Sequence, residues 1–231
     1  MAINNLLENN TYKLVIFDLD DCLIDTWGAS FPVTIEKAIR AMIDKGLGIE
    51  SFEGAVNRLN KINSQSENCS GAITRYLEEI GENIETYLEI GKRAIYDFNF
   101  DDRIKPLPNA LETITILEKR GINLAIVTKG EEEIQMKKLY ASGINPVKFK
   151  RIMAVTNYDK TESYKTILNE LGYSPGEVLV VGDRYKTDLI PARNLGIKTA
   201  WIPWGRGKIN PPTKGEVDYK LDNLKEIIKL V

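Results

Sequence analysis

The sequence predicts an α/β protein, a doubly wound parallel sheet carrying an inserted all-helical block. Two observations predict it. Short apolar runs at Leu14–Phe17, 122–127, Arg151–Val155, 178–181 and 198–202 alternate with segments of helical period, the pattern of a parallel sheet with helices on both faces. Between the first two runs the period is helical throughout, over a length that suits about four helices.

The first run opens the sheet. Leu14, Val15, Ile16 and Phe17 are apolar without alternation, as in a strand covered on both faces, and they lead into Asp18-Leu19-Asp20-Asp21. Open parallel sheets place their ligand crevice at the carboxyl ends of the strands, so Asp18 and Asp20 stand where catalysis is usually built. Read alone, Asp20 and Asp21 equally suit a turn, since aspartate bonds its own backbone.

The helical block follows. Ile35, Ala38, Ile39, Met42 and Ile43 recur at helical spacing, then Phe52, Ala55, Val56, Leu59 and Ile62. Ala72, Ile73, Tyr76, Leu77 and Ile80 repeat the pattern, as do Leu88, Gly91, Ala94, Ile95 and Phe98. Trp27-Gly28 and Pro106-Leu107-Pro108 bracket the block as breakers, which gives a core of residues 1–26 and 106–231 and an insert of 27–105.

Pro108 suits the first turn of a helix that Gly121 ends. The run 122–127 leads to Thr128-Lys129-Gly130, a hydroxyl, an amine and a glycine at a strand-to-helix turn. Lys160 falls between the run Arg151–Val155 and the helical pattern Tyr164, Ile167, Leu168, Leu171, and the run 178–181 leads to Gly182-Asp183 and on to Asp188. Residues 198–202 read as the next strand, 201–207 as a loop packed by Trp and Gly, 218–221 as closing extended structure and 223–230 as a final helix.

Composition narrows the chemistry. A chain of 231 residues with 43% apolar side chains can bury a substantial core. A net charge of −2 and a pI near 5.5 give no electrostatic footprint for a nucleic acid polymer. No apolar run reaches the ~18 residues that span a membrane, and residues 1–10 lack the charged start and apolar middle of a signal segment, so a cytoplasmic protein is expected. Cys22 and Cys69 cannot make a disulfide framework.

The chain has no histidine. A Ser-His-Asp hydrolase, a phosphohistidine enzyme and a histidine-bound zinc site are thereby excluded, and carboxylate chemistry remains. Aspartate oxygens without nitrogen or sulfur donors suit a hard cation, of which Mg²⁺ is the natural choice.

Four motifs in order, each at a strand end, resemble those of the haloacid dehalogenase-like (HAD) hydrolase superfamily, in its C1-capped phosphatase form. Asp18-Leu19-Asp20 resembles the first motif, Thr128 the second, Lys160 the third, and Asp183 with Asp188 the fourth. The resemblance implies a Rossmann-like, HAD-type core, a cap formed by the helical insert that closes over the active site, and a Mg²⁺-dependent phosphatase of small phosphorylated metabolites. On that reading Asp18 attacks phosphorus and Asp20 serves as acid and then base. Thr128 and the backbone N–H groups of Lys129 and Gly130 bind phosphoryl oxygens, and Lys160 is the point charge on the transferring group. Asp18, Asp183, Asp188 and the Asp20 carbonyl hold Mg²⁺. The polar stretch 64–71 between the second and third cap helices is implied to face the nucleophile, so that Asn68, Ser70 and Arg75 touch the leaving group; a solvated helix connector is the other reading of that stretch.

Cys22 and Thr161 depart from the residues common at their places in the family, Asp21 stands where Gly or Asp is usual, and none of the three makes a proton or metal bond in this scheme. Arg184 and Asp25, close to the same rim, suit a structural ion pair better than substrate reading. The presence of Asp20 argues against a dehalogenase or a phosphonate-cleaving member, and the lack of histidine against a mutase resembling the beta-phosphoglucomutase type. A signalling receiver domain carries its phosphorylated aspartate after the third strand and has no helical insert. A phosphoryl-transferring mutase of the superfamily and a non-catalytic phosphate-binding regulator are the alternative functions.

Overall fold

The computed structural model describes residues 12–66, 68–96, 104–157 and 159–231. Residues 1–10, Glu67 of the polar stretch and Phe98 of the fourth helical repeat lie outside them. Two compact units divide the chain, one ending at Asp25 and resuming at Lys105, the other formed by Thr26–Ile104. The first begins with β1 (Leu14–Phe17). The second consists of α1 (Phe31–Ile43), α2 (Phe52–Asn63), α3 (Cys69–Ile80) and α4 (Ile84–Tyr96). The first then continues through α5 (Ala110–Lys119), β2 (Asn123–Lys129), α6 (Glu132–Ala141), β3 (Arg151–Val155), α7 (Thr161–Leu171), β4 (Val178–Gly182), α8 (Ile190–Asn194), β5 (Lys198–Trp201) and β6 (Tyr219–Lys220).

The six strands lie in the order β3-β2-β1-β4-β5-β6, all parallel. The chain runs outward from β1 through β2 to β3, then crosses to the other side of β1 for β4. That reversal makes β1 and β4 the switch point, where a crevice opens beyond the carboxyl ends of the strands. Every residue of β1 is at most 1% exposed, because a parallel sheet has helices on both faces and alternate side chains point to each. Leu14 and Ile16 pack with Ala125, Val127, Val178 and Val180 against Tyr164 and Ile167 of α7 and Ala192 of α8. Val15 and Phe17 point to the opposite layer.

The helical unit has its own core, in which Ile35, Ile39 and Met42 of α1 meet Leu59 of α2, Ile73, Tyr76 and Leu77 of α3, and Ile95 of α4. Ser51 and Asn68 start α2 and α3 by accepting from Gly54 N at 3.1 Å and Gly71 N at 2.8 Å. A Cβ on Gly91 would stand 3.2 Å from both Ile73 Cδ1 and Met42 Sδ, so the bare backbone there lets α4 sit close to α1 and α3.

Several element ends differ from the expectation. Trp27-Gly28 breaks nothing: Thr26–Ser30 forms a widened helical turn that runs directly into α1, where Pro32 sits in the first turn and its missing N–H costs no bond. Pro108 precedes α5, whose first residue is Ala110, and Asn109 at φ 68° takes the left-handed conformation that its short amide tolerates. Thr128 and Lys129 belong to β2, which pairs with β3 as far as Val155 and so outlasts its apolar run. The closing segment is a 3₁₀ turn, Leu224–Lys229, where an α-helix was expected. Among the described residues no helix is long and apolar enough to cross a membrane.

Candidate active site

Asp18 still belongs to the sheet, with its N–H donating to Val181 O at 2.9 Å. The chain then turns sharply. Leu19 O accepts from Leu23 N at 2.9 Å and Ile24 N at 3.1 Å, and Asp21 adopts φ 60°. The face sharing of an extended strand therefore ends at Asp18, and different elements grip the carboxylates of Asp18 and Asp20. Asp18 Oδ1 accepts from Lys160 Nζ at 2.7 Å, whereas the two oxygens of Asp20 accept from Lys138 Nζ of α6 at 2.9 and 2.8 Å.

Lys160 immediately precedes α7 and is 2% exposed. Its ammonium bridges Asp18 to Asp188, whose Oδ1 is 2.8 Å away. Asp188 is fixed further by its neighbours: Oδ2 accepts from Arg184 N at 2.9 Å, Oδ1 meets Thr187 Oγ1 at 3.3 Å, and its backbone O accepts from Tyr164 OH at 3.1 Å. Asp183 follows the last residue of β4, its Oδ2 accepting from Gly207 N at 3.1 Å and its backbone O from Trp201 Nε1 at 2.7 Å. Its Oδ1 is buried and has no hydrogen-bond partner among the described residues.

Burial dominates the electrostatics. It pushes the Asp18 carboxyl up to about 6 against the pull of Lys160, with the Asp188 charge adding to the rise. Burial, then the charges of Asp188 and Asp21, hold Asp183 well above the ordinary carboxylate range. Burial works to lower Lys160 too, but the carboxylates of Asp18 and Asp188 outweigh it and keep the ammonium well above its usual value.

Asp18, Asp183 and Asp188 present oxygens within 4.8 Å of one another; the buried ammonium of Lys160 bridges Asp18 and Asp188, and the Arg184 charge acts on Asp183, which leaves three carboxylates against two cations. A hard divalent cation fits this set. The donors are all carboxylate oxygens, the surplus charge is negative, and Asp183 Oδ1 lacks a partner among the described residues.

At the end of β2 the Thr128 side chain is 1% exposed, and its hydroxyl finds no partner among the described residues. Gly130 differs from its expected role: its N–H donates to Val155 O at 2.8 Å and extends the β2–β3 ladder, so it is not offered to an anion. Successive N–H groups of a strand point to opposite neighbours. Asn123 N reaches Lys13 O on the β1 side, and Lys129, an even number of residues on, directs its N–H to that same side beyond the last paired residue of β1.

A model of haloacid dehalogenase-like hydrolases matches residues 15–202. The chain belongs to the haloacid dehalogenase-like hydrolase family. Glyceraldehyde 3-phosphate phosphatase of Methanocaldococcus jannaschii is 29% identical to it, over 95% of this chain and 96% of that protein. Phosphoglycolate phosphatase of Aquifex aeolicus is 25% identical, again over 95% and 96%. Solved structures share the fold. That of a predicted phosphoglycolate phosphatase from Haemophilus somnus has a TM-score of 0.75 at 22% identity, over 95% of this chain and 98% of its own. The magnesium-bound HAD-hydrolase YfnB from Bacillus subtilis has a TM-score of 0.67 at 20% identity, with the same coverage of 95% and 98%.

Two residues of this hydrolase's site, Gln135 and Lys138, are absent from the sequence reading. No signal in the sequence marks them, because α6 has no apolar stripe against which a buried Gln135 beside Leu139 would stand out. The 201–207 loop packs against the rim rather than standing free. Trp204 Nε1 donates to Asp25 Oδ1 at 2.9 Å, Lys208 Nζ lies 5.4 Å from the Trp204 ring centre, and a Cβ on Gly205 or Gly207 would collide with Asp21 or Asp183. Asp25 is thus a partner of the Trp204 indole. In the helical unit Asn68 caps α3, Ser70 lies in the first turn of that helix, and Arg75 Nε donates to Glu79 Oε1 at 3.0 Å.

Proposed function

We propose that this hydrolase is a Mg²⁺-dependent phosphatase that cleaves a small phosphorylated metabolite through an aspartyl-phosphate on Asp18. The bridge from Lys160 Nζ to Asp18 Oδ1 and Asp188 Oδ1, at 2.7 and 2.8 Å, carries the reading. It joins a candidate nucleophile, a buried cation and a candidate metal ligand, and a phosphoryl group is the ligand that uses all of them together with the Thr128 hydroxyl.

A phosphate monoester repels an incoming nucleophile, so the site must neutralise charge and align the attack. One carboxylate oxygen of Asp18 attacks phosphorus, and the bond from phosphorus to the ester oxygen breaks as Asp20 gives that oxygen a proton. A water molecule then gives a proton to Asp20, attacks phosphorus and breaks its bond to Asp18, releasing phosphate. Lys160 and Thr128 hold the phosphoryl oxygens through both steps. Asp18, Asp183, Asp188 and the Asp20 carbonyl would hold Mg²⁺, which when bound neutralises charge on the phosphoryl oxygens.

The names of the relatives support a phosphate ester as substrate, and the magnesium of the YfnB structure supports the metal. Relatives named for glyceraldehyde 3-phosphate and for phosphoglycolate stand at 29% and 25% identity, so the shared core leaves the choice of leaving group open. That choice falls to the helical insert acting as a cap, with Asn68, Ser70 and Arg75 as its candidates.

Phosphate release from a panel of sugar phosphates, phosphoglycolate-like acids and nucleoside monophosphates is expected with Mg²⁺ and not with excess chelator. Asp18→Asn is expected to fold and to be inactive. Substantial turnover by that variant, or full activity in chelator, would sink the mechanism.

A further inference from the structure

We infer that Lys138, assisted by Gln135, is a positioning residue that holds the Asp20 carboxylate in its working orientation from the face of α6. The inference rests on Asp20 as the acid and base of the proposed reaction. Asp20 lies beyond the strand in a sharp turn, where the ladder of β1 no longer fixes its direction. Lys138 Nζ reaches both of its oxygens, at 2.9 and 2.8 Å, and Gln135 Nε2 approaches Oδ2 at 3.3 Å. The two donors are separated by one helical turn on α6 and so act from one face.

The grip is built into the backbone. Gln135 is 4% exposed, and its Nε2 also donates to Lys129 O at 2.6 Å, which anchors the amide at the end of β2. A Cβ on Gly130 would lie 2.3 Å from that nitrogen, and Gly130 has φ +139°, so glycine serves here both the bend and the entry of the Gln135 side chain. Lys138 is only 13% exposed at its side chain and Asp20 27%, which sets this pair apart from the chain's solvated ion pairs. A proton carrier held within hydrogen-bond reach gains its rate from geometry, and a misplacement of about 1 Å can cost ~10²-fold.

The test separates positioning from structure by the leaving group. A phenolate such as 2,4-dinitrophenolate departs without a proton, whereas an alkoxide needs one. Lys138→Met is therefore expected to lower kcat/KM for an alkyl phosphate by about 10- to 100-fold while changing kcat/KM for 2,4-dinitrophenyl phosphate less than about 3-fold. Its kcat on the activated ester should fall, with a burst of phenolate, because hydrolysis of phospho-Asp18 still needs Asp20 as base. Lys138→Arg should restore much of the alkyl phosphate rate. Both esters are assayed on one preparation, so a smaller folded fraction cancels from their ratio. An equal loss of kcat/KM on both esters, no loss on either, or no recovery with arginine would overturn the assignment while leaving the phosphatase reading intact. A wild-type chain inactive on every ester with Mg²⁺ would remove that reading and the inference with it.

Discussion

The Cβ that Gly182 lacks would lie 2.6 Å from Asp188 Cβ and 2.7 Å from Asp188 Oδ2. The last residue of β4 is thus the floor beneath a carboxylate that also engages Arg184 N and Lys160. Gly182 does not occupy the left-handed region, so an added methyl would conflict by volume alone.

Gly182→Ala is expected to displace Asp188 and loosen its 2.8 Å contact with Lys160. Disturbing the support of a metal ligand typically costs about 10- to 100-fold in affinity, so the Mg²⁺ concentration for half-maximal activity should rise by that order. A Mg²⁺ titration of a variant with an unchanged far-ultraviolet spectrum checks it.

Lys160→Met removes the buried ammonium that Asp18 and Asp188 share. Stripping one partner from a buried ion pair costs about 3–5 kcal/mol, so the chelated variant should melt well below the wild type. Mg²⁺ should recover more melting temperature in the variant than in the wild type, because it meets the same stranded carboxylates. Turnover should not return, since the transferring group has lost its point charge. Calorimetry with and without Mg²⁺, beside a phosphate-release assay, separates the two effects.

The strand-end residues were legible because each interrupts an apolar run at a place where burial alone would favour another apolar side chain. Asp18 after Phe17, Thr128 after Val127 and Asp183 after Gly182 are of this kind. Lys138 and Gln135 were not, since they lie within α6, a helix of mostly charged and polar residues, and interrupt no apolar run. Nothing in the sequence singles out Gly182 or Gly207. Their reason lies in the atoms of Asp188 and Asp183 packed on them, which only the tertiary structure supplies. The misplaced start at Pro108 has a local cause, because Asn109 takes a left-handed conformation that delays α5.

The raised carboxyls make stability depend on pH and metal together. Asp18 is lifted by burial from an ordinary 3.8 to about 6, so between those values the folded chain keeps a proton that the unfolded chain has lost. Stability in chelator should therefore fall as pH climbs through that window and stay lower above it, and Asp183 acts in the same direction. On the proposed reading Mg²⁺ binds the ionised carboxylates. Its stabilisation, about 2.7 kcal/mol at a hundredfold excess over Kd, should be larger at pH 7 than at pH 5. Melting curves at both pH values, with Mg²⁺ and with chelator, test the sign; a Mg²⁺ effect larger at pH 5 contradicts it.

Asn68 Oδ1 accepts from Gly71 N at 2.8 Å, so its removal has a structural cost that any test of substrate reading must separate. Asn68→Ala forfeits the cap, worth about 1 kcal/mol, and a changed substrate order in that variant could follow from loosening α3. Serine caps a helix about as well as asparagine but carries no amide. Asn68→Ser is therefore expected to keep the wild-type melting temperature while reordering the preferred esters by kcat/KM. Hydrolysis of p-nitrophenyl phosphate should persist, because Asp18, Asp20 and Lys160 are untouched. Arg75→Gln gives an independent arm: its pair with Glu79 is exposed to solvent and Arg58 holds the same carboxylate, so a shift in substrate order there cannot be charged to stability. An unchanged order in both variants would assign the stretch to helix capping and move the search for specificity to the 201–207 rim.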